Sequence, residues 1–391
     1  MEAVLSRNAT AAGVLAVIRR AGPLSRAAIG ERTGLSLPTV SRSVSALIGV
    51  GLVREHPELV PVGSIGRPRV PLHLDDGVFA VGGVHIGVST TTYGLADLRG
   101  AIIASQELPT PSGDAEDALA HIAGKLRAFL RRFPRRVVLG VGLASGGQVD
   151  TERGLLDHER LGWRSVPAAE ALRRATGLPV LLEGHVAAMA SAELVFGRGA
   201  SAPSLLYFYA REVVGIAMVV DGRLHRGPWG GSTIAHLPVG GSAECPCGAL
   251  GCLEAEVCDR TVAERAAAAG VVDEADIRLV RAAAAGGDSR AVGLLTDRAH
   301  TIGRAAAILR DVLNPHAVVL GGQAVTEDPD RLPDLLRSFR DTTTLPGPAD
   351  LVSVTPFGPA VQAVAACTGL LTRVFENPFD FVRPTRKAPT P

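Results

Sequence analysis

The spacing of apolar and polar residues in the first fifty positions predicts a row of short helices. Apolar residues recur at helical spacing between Ala11 and Arg20, and Gly22-Pro23 ends this first helix. Ser25 is placed to cap a second helix, and Pro38 stands in the first turn of a third. The third helix, at about 38–48, carries one apolar face formed by Val40, Val44 and Leu47. This order is typical of a helix-turn-helix, whose last helix enters the major groove of DNA.

Two short extended runs follow, at 51–55 and 70–74, on either side of a loop rich in Gly, Arg and Pro. A hairpin in this place predicts the wing of a winged helix. The tripeptide Gly66-Arg67-Pro68 could carry an arginine into a narrow minor groove, where the potential is most negative. The small polar and basic side chains expected to contact DNA are Ser36, Thr39, Ser41, Arg42, Ser45, Arg67 and Arg69. The alternative is a small helical interaction module with a solvated basic loop.

Behind the wing, strand-like and helix-like patterns alternate. Strands are predicted at 79–88, 91–98, 137–143, 178–182, 205–209, 214–220 and 317–320, and helices at 114–133, 186–196, 261–269, 273–285, 291–313 and 359–375. This mixture predicts an α/β body in two lobes. The predicted domains are a winged helix-turn-helix at 1–75, a first α/β lobe at 76–188 plus 359–376, a second α/β lobe at 189–358, and a disordered tail at 377–391.

Composition and charge narrow the class of protein. The chain has 391 residues, of which 47% are hydrophobic and 20% charged, so it is too apolar for a disordered protein. No run approaches the roughly 20 apolar residues of a membrane span, and no export signal opens the chain, so we expect a cytoplasmic protein without membrane contact. The net charge of the whole chain is only +1, but residues 1–70 contain nine Arg and four Glu and are therefore basic. A local basic surface of this kind favours contact with phosphates.

The cysteines supply the sharpest chemical signal. Four potential metal ligands, one imidazole and three thiols, lie within 17 residues: His236, Cys245, Cys247 and Cys252. This is the ligand set of a closed structural zinc site, which leaves no open position for a catalytic water. The alternative is a group of reduced buried cysteines beside an unrelated histidine. We expect Cys258 and Cys367 to be buried thiols.

The segment from Cys245 to Glu254, Cys-Pro-Cys-Gly-Ala-Leu-Gly-Cys-Leu-Glu, closely resembles the signature of the ROK family of repressors, open reading frames and kinases. Further matching phrases spread over almost the whole chain: Val141–Asp150, Leu161–Trp163, Gly177–Val180, Asp221–Gly227, Leu313–Pro315 and Gly321–Gly322. The resemblance implies an actin-like, ribonuclease-H-like pair of α/β lobes with a sugar in the cleft. The winged helix with its Gly-Arg-Pro loop resembles the repressor branch, which includes xylose and N-acetylglucosamine repressors, and not the kinases.

The same resemblance implies that the parts of a sugar kinase are damaged here. Where ROK kinases carry an Asn-Asp pair with the catalytic base, this chain has Gly184-His185, and His85 replaces an Asp that helps to hold magnesium. Most of a Gly-Thr-Gly phosphate turn is lost at Arg211–Gly215, where Val213 and Val214 do not allow the close backbone approach of glycine. A histidine can act as a base, so the expectation of an inactive body rests on the three changes together.

The effector site is altered as well. In the family, sugar hydroxyls are contacted at positions that here read Gly184, His185, Thr233, His236 and Glu254, so two carboxylates and an amide are missing. We expect an effector, sugar or sugar-like, at His185, Thr233, His236 and Glu254, although His236 fits zinc better. A different ligand, a changed sugar pose and an empty cleft are alternatives. His85 and His185 are equally well interpreted as satisfied buried histidines.

The sequence therefore predicts a sequence-specific, DNA-binding transcriptional regulator, a repressor, that is not an enzyme. Its kinase-like body would bind the effector and oligomerise, and its cofactor would be structural Zn²⁺. Because a helix-turn-helix dimer reads two half-sites, the expected partners are double-stranded DNA with a palindromic operator and further copies of the chain, as a dimer or tetramer. The alternatives are an ATP-dependent sugar kinase with a DNA-binding head and a zinc-stabilised scaffold without affinity for DNA.

Overall fold

The structure is a computed structural model that describes residues 2–59, 70–197, 202–227, 233–348 and 350–382. The predicted wing residues Arg67 and Arg69 lie outside these ranges. The chain divides into two compact units, unit 1 with Met1–Ala188 and Ala360–Pro391, and unit 2 with Met189–Pro359. Among the described residues, every helix is too short or too polar to cross a bilayer.

The regular elements follow one another along the chain. The α-helices are α1 Glu2–Ala21, α2 Arg26–Thr33, α3 Leu37–Gly49, α4 Ala115–Leu130, α5 Ala168–Thr176, α6 His185–Phe196, α7 Leu253–Val257, α8 Asp259–Ala268, α9 Ile277–Ala285, α10 Ser289–Leu313, α11 Gln323–Thr326, α12 Leu332–Thr342, α13 Val361–Glu376 and α14 Pro378–Phe381. The strands are β1 Val53–Glu55, β2 Leu72–Leu74, β3 Phe79–Ile86, β4 Thr90–Asp97, β5 Ile102–Pro109, β6 Val137–Ser145, β7 Gln148–Asp150, β8 Leu155–His158, β9 Trp163–Val166, β10 Val180–Gly184, β11 Leu205–Ala210, β12 Val214–Val220, β13 Arg223–Leu224, β14 Ala317–Gly321 and β15 Val352–Val354.

Helices α1–α3 and strands β1 and β2 form the part of unit 1 that we call the head. Ser25 caps α2, because its Oγ accepts a hydrogen bond from the backbone N–H of Ala28 at 3.3 Å. Gly34 ends α2 in the left-handed conformation at φ 68°, which glycine adopts without strain. The apolar face of α3, predicted from its periodicity, is fully buried. Strands β1 and β2 pair in antiparallel register, so the predicted winged helix fold is confirmed.

The body of unit 1 is a five-stranded sheet in the order β10-β6-β3-β4-β5. Strands β10, β6 and β3 are parallel, and β4 and β5 continue the sheet as antiparallel neighbours. Helix α4 covers one face with an apolar core that includes Leu119, Leu126 and Phe129. Strand β5 could not be predicted from the sequence, because this edge strand carries a half-exposed Ser-Gln-Glu stretch instead of a continuous apolar run.

Helix α13 lies directly on the other face of this sheet, and glycines in the strands permit the short distance. A Cβ at Gly142 of β6 would overlap the carbonyl oxygen of Ala366. A Cβ at Gly83 of β3 would come within 2.7 Å of the Cys367 Sγ. Cys367 is buried, as expected, and its burial raises the pKa of the thiol to about 12. The helix backbone therefore contacts the backbone of the sheet.

Unit 2 is built on a second five-stranded sheet, in the order β13-β12-β11-β14-β15. Helices α10 and α12 pack against each other beside this sheet, with Ile302 and Phe339 in the core. A buried ion network joins α8 to α10, in which Arg298 donates to Asp259 Oδ1 at 2.6 Å. Asp328 belongs to the same network, and burial raises its pKa although Arg281 opposes the shift.

The prediction that the chain is disordered from residue 377 is wrong for the first part of the tail. Residues Pro378–Phe381 form the short helix α14, and Pro378 and Val382 are buried. The four prolines of the tail suggested disorder, but contacts with α1 order its beginning. Residues 383–391 lie outside the described ranges.

We expect Gly142→Ala to destabilise the protein by about 1–3 kcal/mol, because its Cβ would force α13 away from the sheet. Gly124→Ala is the matched control, since Gly124 lies on the exposed side of α4 with open space around its Cα. This change should stabilise the protein by up to about 1 kcal/mol. Urea unfolding measures both changes, and equal effects of the two substitutions would contradict the close approach.

Candidate functional site

The exposed face of α3 carries a connected row of polar side chains. The Oγ atoms of Ser36 and Thr39 lie 2.9 Å apart, and Arg42 Nη2 is 3.5 Å from Thr39 Oγ1. Ser45 continues this face one turn later, and Ser41 is half-buried at its edge. The structure thus brings together five of the residues predicted to contact DNA. Their short hydroxyls and one guanidinium can exchange hydrogen bonds with base edges and phosphates.

The base of the wing is anchored to the body of unit 1 by Arg99, in the turn between β4 and β5. Its Nη2 lies 2.6 Å from His73 Nδ1 on β2, and its Nε forms an ion pair with Asp76 at 2.8 Å. The imidazole of His56 packs against that of His73, with ring centroids 4.7 Å apart. Burial lowers the pKa of His73, and the charge of Arg99 lowers it further. A neutral His73 can accept the hydrogen bond from Arg99.

Helix α1 is held by the last elements of the chain in a contact that we call the clasp. The Asn8 amide donates from Nδ2 to Asp380 Oδ1 at 3.1 Å, and its Oδ1 accepts from the backbone N–H of Phe379 at 3.4 Å. About three turns further along α1, the guanidinium of Arg19 lies over the ring of Phe375 at 5.2 Å. Burial lowers the pKa of Arg19 to about 10, so it stays charged at neutral pH. The clasp links the head to α13 and α14.

In unit 2, the predicted metal ligands form one cluster. The ligand atoms of His236, Cys245, Cys247 and Cys252 all lie within 4.8 Å of one another. Cys245 Sγ is 3.3 Å from His236 Nδ1, and Cys247 Sγ is 3.7 Å from Cys252 Sγ. A tight turn makes this possible, because Gly248 adopts φ 88° and donates its N–H to the Cys245 carbonyl. The cluster could hold one metal ion.

Three of the four predicted effector residues belong to unit 2, around the beginning of α7. The backbone N–H of Glu254 donates to the Ala235 carbonyl at 3.0 Å, which holds the segment of Thr233 and His236 beside this helix. Thr233 also bridges to Gly215 of β12. The fourth residue, His185, belongs to unit 1. There its Nδ1 forms a short hydrogen bond with Nε2 of His85, and both imidazoles are buried.

The loop from Arg211 to Val214, where the resemblance sets a phosphate turn, is bound by carboxylates. Glu254 Oε2 accepts the backbone N–H of Val214 at 3.0 Å. Arg211 forms an ion pair with Asp259 at 3.6 Å, and Glu212 accepts the backbone N–H of Arg260. The backbone N–H of Arg211 is bonded to the carbonyl of Val213. Amides that would have to face a phosphate are thus engaged within the protein, beside acidic groups.

The sequence pattern of the ROK family matches residues 81–349, and that of the MarR family matches residues 5–58. A transcriptional regulator of Mycobacterium tuberculosis (strain H37Rv) is 40% identical, over 96% of this chain and 88% of that protein. The N-acetylglucosamine repressor of Escherichia coli O6:H1 is 24% identical, over 88% of this chain and 88% of that protein. This chain therefore belongs to the ROK family.

A crystal structure described as a ROK family transcriptional regulator, homolog of the E. coli MLC protein, has a similar fold, with a TM-score of 0.78. It is 23% identical and covers 95% of this chain and 99% of that one. The fold predicted from the sequence is thereby confirmed: a winged helix-turn-helix followed by an actin-like α/β body. The chain is a ROK-family transcriptional regulator with a helix-turn-helix DNA-binding domain.

Sequence reasoning missed the clasp and the anchor of the wing. Asn8 and Arg99 carry no pattern that distinguishes them from solvated surface residues, and their partners are distant in sequence or on another hairpin. One signal was present for Asn8, since it is a polar residue three positions before Ala11, where the predicted apolar pattern of α1 begins. A buried polar side chain of this kind needs a hydrogen-bond partner.

We expect Asn8→Ala to destabilise unit 1 by about 1–3 kcal/mol, because it removes a buried amide that bonds to two groups of the last elements. Asp380→Ala should lower the free energy of unfolding by a smaller amount. The double variant should show a coupling energy between the two positions of at least about 0.5 kcal/mol. Denaturant unfolding of the four proteins measures the coupling. Glu376→Ala is the control, since this exposed carboxylate lies outside the clasp and should change stability by less than about 0.5 kcal/mol. Additive effects of the two clasp variants would contradict the contact.

Proposed function

We propose that the chain is a repressor whose ROK body has lost phosphoryl transfer and serves instead to bind an effector and to oligomerise. The DNA-binding domain spans 1–75, the first lobe 76–188 plus 359–376, and the second lobe 189–358. The partners are a palindromic operator and further copies of the chain, as a dimer or tetramer. The observation that carries this proposal is the loop Arg211–Val214, in which the N–H groups of Arg211 and Val214 bond within the protein.

Two arguments support the loss of kinase activity. Phosphoryl transfer needs backbone N–H groups aimed at the phosphates and a metal that screens their charge. The amide of Val214 is bonded to Glu254 instead, and the Glu212 carboxylate accepts the backbone N–H of Arg260. In unit 1, His85 and His185 bond to each other, and imidazoles are poor ligands for Mg²⁺.

The metal in the cluster is zinc. Zinc–sulfur bonds of about 2.3 Å in a tetrahedron set the sulfur atoms about 3.8 Å apart. The distance of 3.7 Å between the Cys247 and Cys252 sulfurs supports this geometry. Three thiolates and one imidazole would fill the coordination sphere, so the ion stiffens the segment between β13 and α7 and leaves no open position for chemistry.

The operator contacts come from α3 and the wing. Ser36, Thr39, Ser41, Arg42 and Ser45 would contact bases and phosphates in the major groove, since they share the exposed face of α3. Arg67 and Arg69 would reach the minor groove or its phosphates, a role that rests on sequence alone. The basic excess of residues 1–70 favours this approach to DNA.

The effector is a sugar or a sugar-like molecule, and the family resemblance alone assigns it to Thr233, His236 and Glu254 of unit 2 and to His185 of unit 1, with His236 shared with the metal. Its signal reaches the head through α13. This helix lies beside Glu183, because a Cβ at Gly369 would meet the Glu183 Oε2 at 2.5 Å, and its far end contacts α1 through the clasp. Binding next to His185 would shift the population of head positions and so the spacing of the two recognition helices.

We expect the full chain to select specific genomic fragments and to protect a two-fold symmetric site, with Arg42→Ala weakening this binding. The loss of one base contact should cost about 1–3 kcal/mol, or roughly 5- to 150-fold in Kd. Footprinting and a binding titration at fixed salt measure both. Arg340→Ala is the control, because this arginine is exposed on α12 in unit 2 and should leave affinity unchanged. Absence of any preferred fragment would contradict the regulator and favour the scaffold.

A coupled ATP assay with a panel of hexoses, run on the same protein preparation, distinguishes a repressor without kinase activity from the alternative, a sugar kinase. We expect no turnover with any hexose. Clear turnover would contradict the loss of phosphoryl transfer while leaving the DNA-binding result intact.

We expect the purified protein to contain one zinc per chain and Cys252→Ser to reduce this content and lower Tm, because Cys252 is a buried ligand. Elemental analysis and thermal unfolding measure the two effects. Cys258→Ser is the matched control, since Cys258 is buried in the same unit outside the cluster and should leave the zinc in place. Equal zinc content in the two variants would contradict the ligand assignment.

A further inference from the structure

The first residue of the recognition helix carries a large apolar side chain in water. Leu37 is 55% exposed, whereas Val40, Val44 and Leu47 of the same helix are fully buried. By sequence, Leu37 continues the apolar stripe of α3 by one more turn towards its N-terminus. The core of the head ends before this turn, so the stripe extends beyond the core and onto the surface.

The exposed residues next to Leu37 in the sequence have short or polar side chains. Ser36 and Thr39 are joined by their hydroxyls, and Arg42 extends along the same side of the helix. Pro38 is exposed and adds no donor, because its nitrogen lacks a hydrogen. Leu37 lies one turn before Ser41, so it is a bulky apolar group at the edge of the face that we assign to operator contacts. Its place at the N-terminus matters, because the first residues of a recognition helix come nearest to the base edges.

The major groove offers one apolar group to such a side chain. Base edges there present nitrogen and oxygen donors and acceptors, and among the four bases only thymine adds a C5-methyl group. We propose that Leu37 packs against the C5-methyl group of a thymine in each half-site and thereby selects A·T over G·C at that position. The proposal rests on the operator contacts of α3 proposed above and adds the base that one residue recognises.

The polar neighbours of Leu37 cannot recognise the methyl group of thymine. Ser36, Thr39 and Arg42 recognise donors and acceptors, which uracil and thymine present identically in the major groove. A response to the methyl group alone must therefore come from an apolar contact. This difference allows the contribution of Leu37 to be separated from that of every polar residue on α3.

The test uses the full chain and duplexes selected from a random pool for binding to it. Each thymine of the selected site is replaced in turn by deoxyuridine, which removes only the methyl group. We expect one thymine per half-site at which the replacement weakens binding about fourfold, the effect of uncovering one methyl-sized group. Leu37→Ala should bind the thymine duplex more weakly and show no further loss with deoxyuridine at that position.

Val312→Ala is the matched control. Val312 is 74% exposed on α10 in unit 2, so this variant also removes a surface apolar side chain and should keep the full deoxyuridine effect. Thermal unfolding should show an unchanged Tm for Leu37→Ala, since the side chain contributes little to the core. The proposal is overturned if every thymine tolerates deoxyuridine, or if Leu37→Ala retains the same penalty. It is also overturned if Leu37→Ala changes the oligomeric state in sizing chromatography, which would make Leu37 a contact between copies.

A failure of the proposed function gives a different result. If the wild-type chain enriches no sequence from the pool, the operator contacts fail and this proposal fails with them. A second outcome is that a sequence is enriched and Arg42→Ala weakens binding to it, while deoxyuridine has no effect at any position. In that case the proposed DNA-binding function is supported and only the thymine contact is wrong.

Discussion

The close contact between α13 and the sheet of unit 1 is the constraint on which the rest of that unit depends. Glycines at positions 83 and 142 remove the Cβ atoms that would hold a helix at an ordinary distance. Because the helix lies so near the strands, its position is determined by backbone as well as side chains. Gly369 then brings the same helix against Glu183, and its far end approaches α1. One helix therefore contacts both the strand β10, which precedes the candidate effector residue His185, and the DNA-binding head.

Unit 2 uses its carboxylates for internal bonds. Glu254 bonds to the amide of Val214, and Asp259 pairs with Arg211, Arg281 and Arg298. These bonds join the beginning of α7 and α8 to the loop that follows β11. The same short segment continues from the metal cluster, because Cys252 is the residue before α7. A metal bound by this cluster would therefore act on the loop and on Glu254 together.

The features that could be predicted from the sequence are those that residues close together in the chain determine. The N-cap of α2, the apolar face of α3 and the cluster of predicted metal ligands are all defined within short stretches of sequence, and the structure has them where they were expected. Contacts between distant segments could not be predicted. The bond of Asn8 with Asp380 and the contact of His85 with His185 join positions 372 and 100 residues apart. The prediction for the tail was wrong for the same reason. Its prolines can be read from the sequence, but its contact with α1 cannot.

The clasp has a consequence for synthesis of the protein. The head is translated first, yet the group that bonds to Asn8 follows 372 residues later. At roughly 5–20 residues per second, a ribosome needs about 20–70 s to reach it. During that interval α1 lacks the cover of the last helices, so the nascent head gains its full stability only when the chain is nearly finished. An incomplete polypeptide released early would therefore carry a less stable head than the finished protein does.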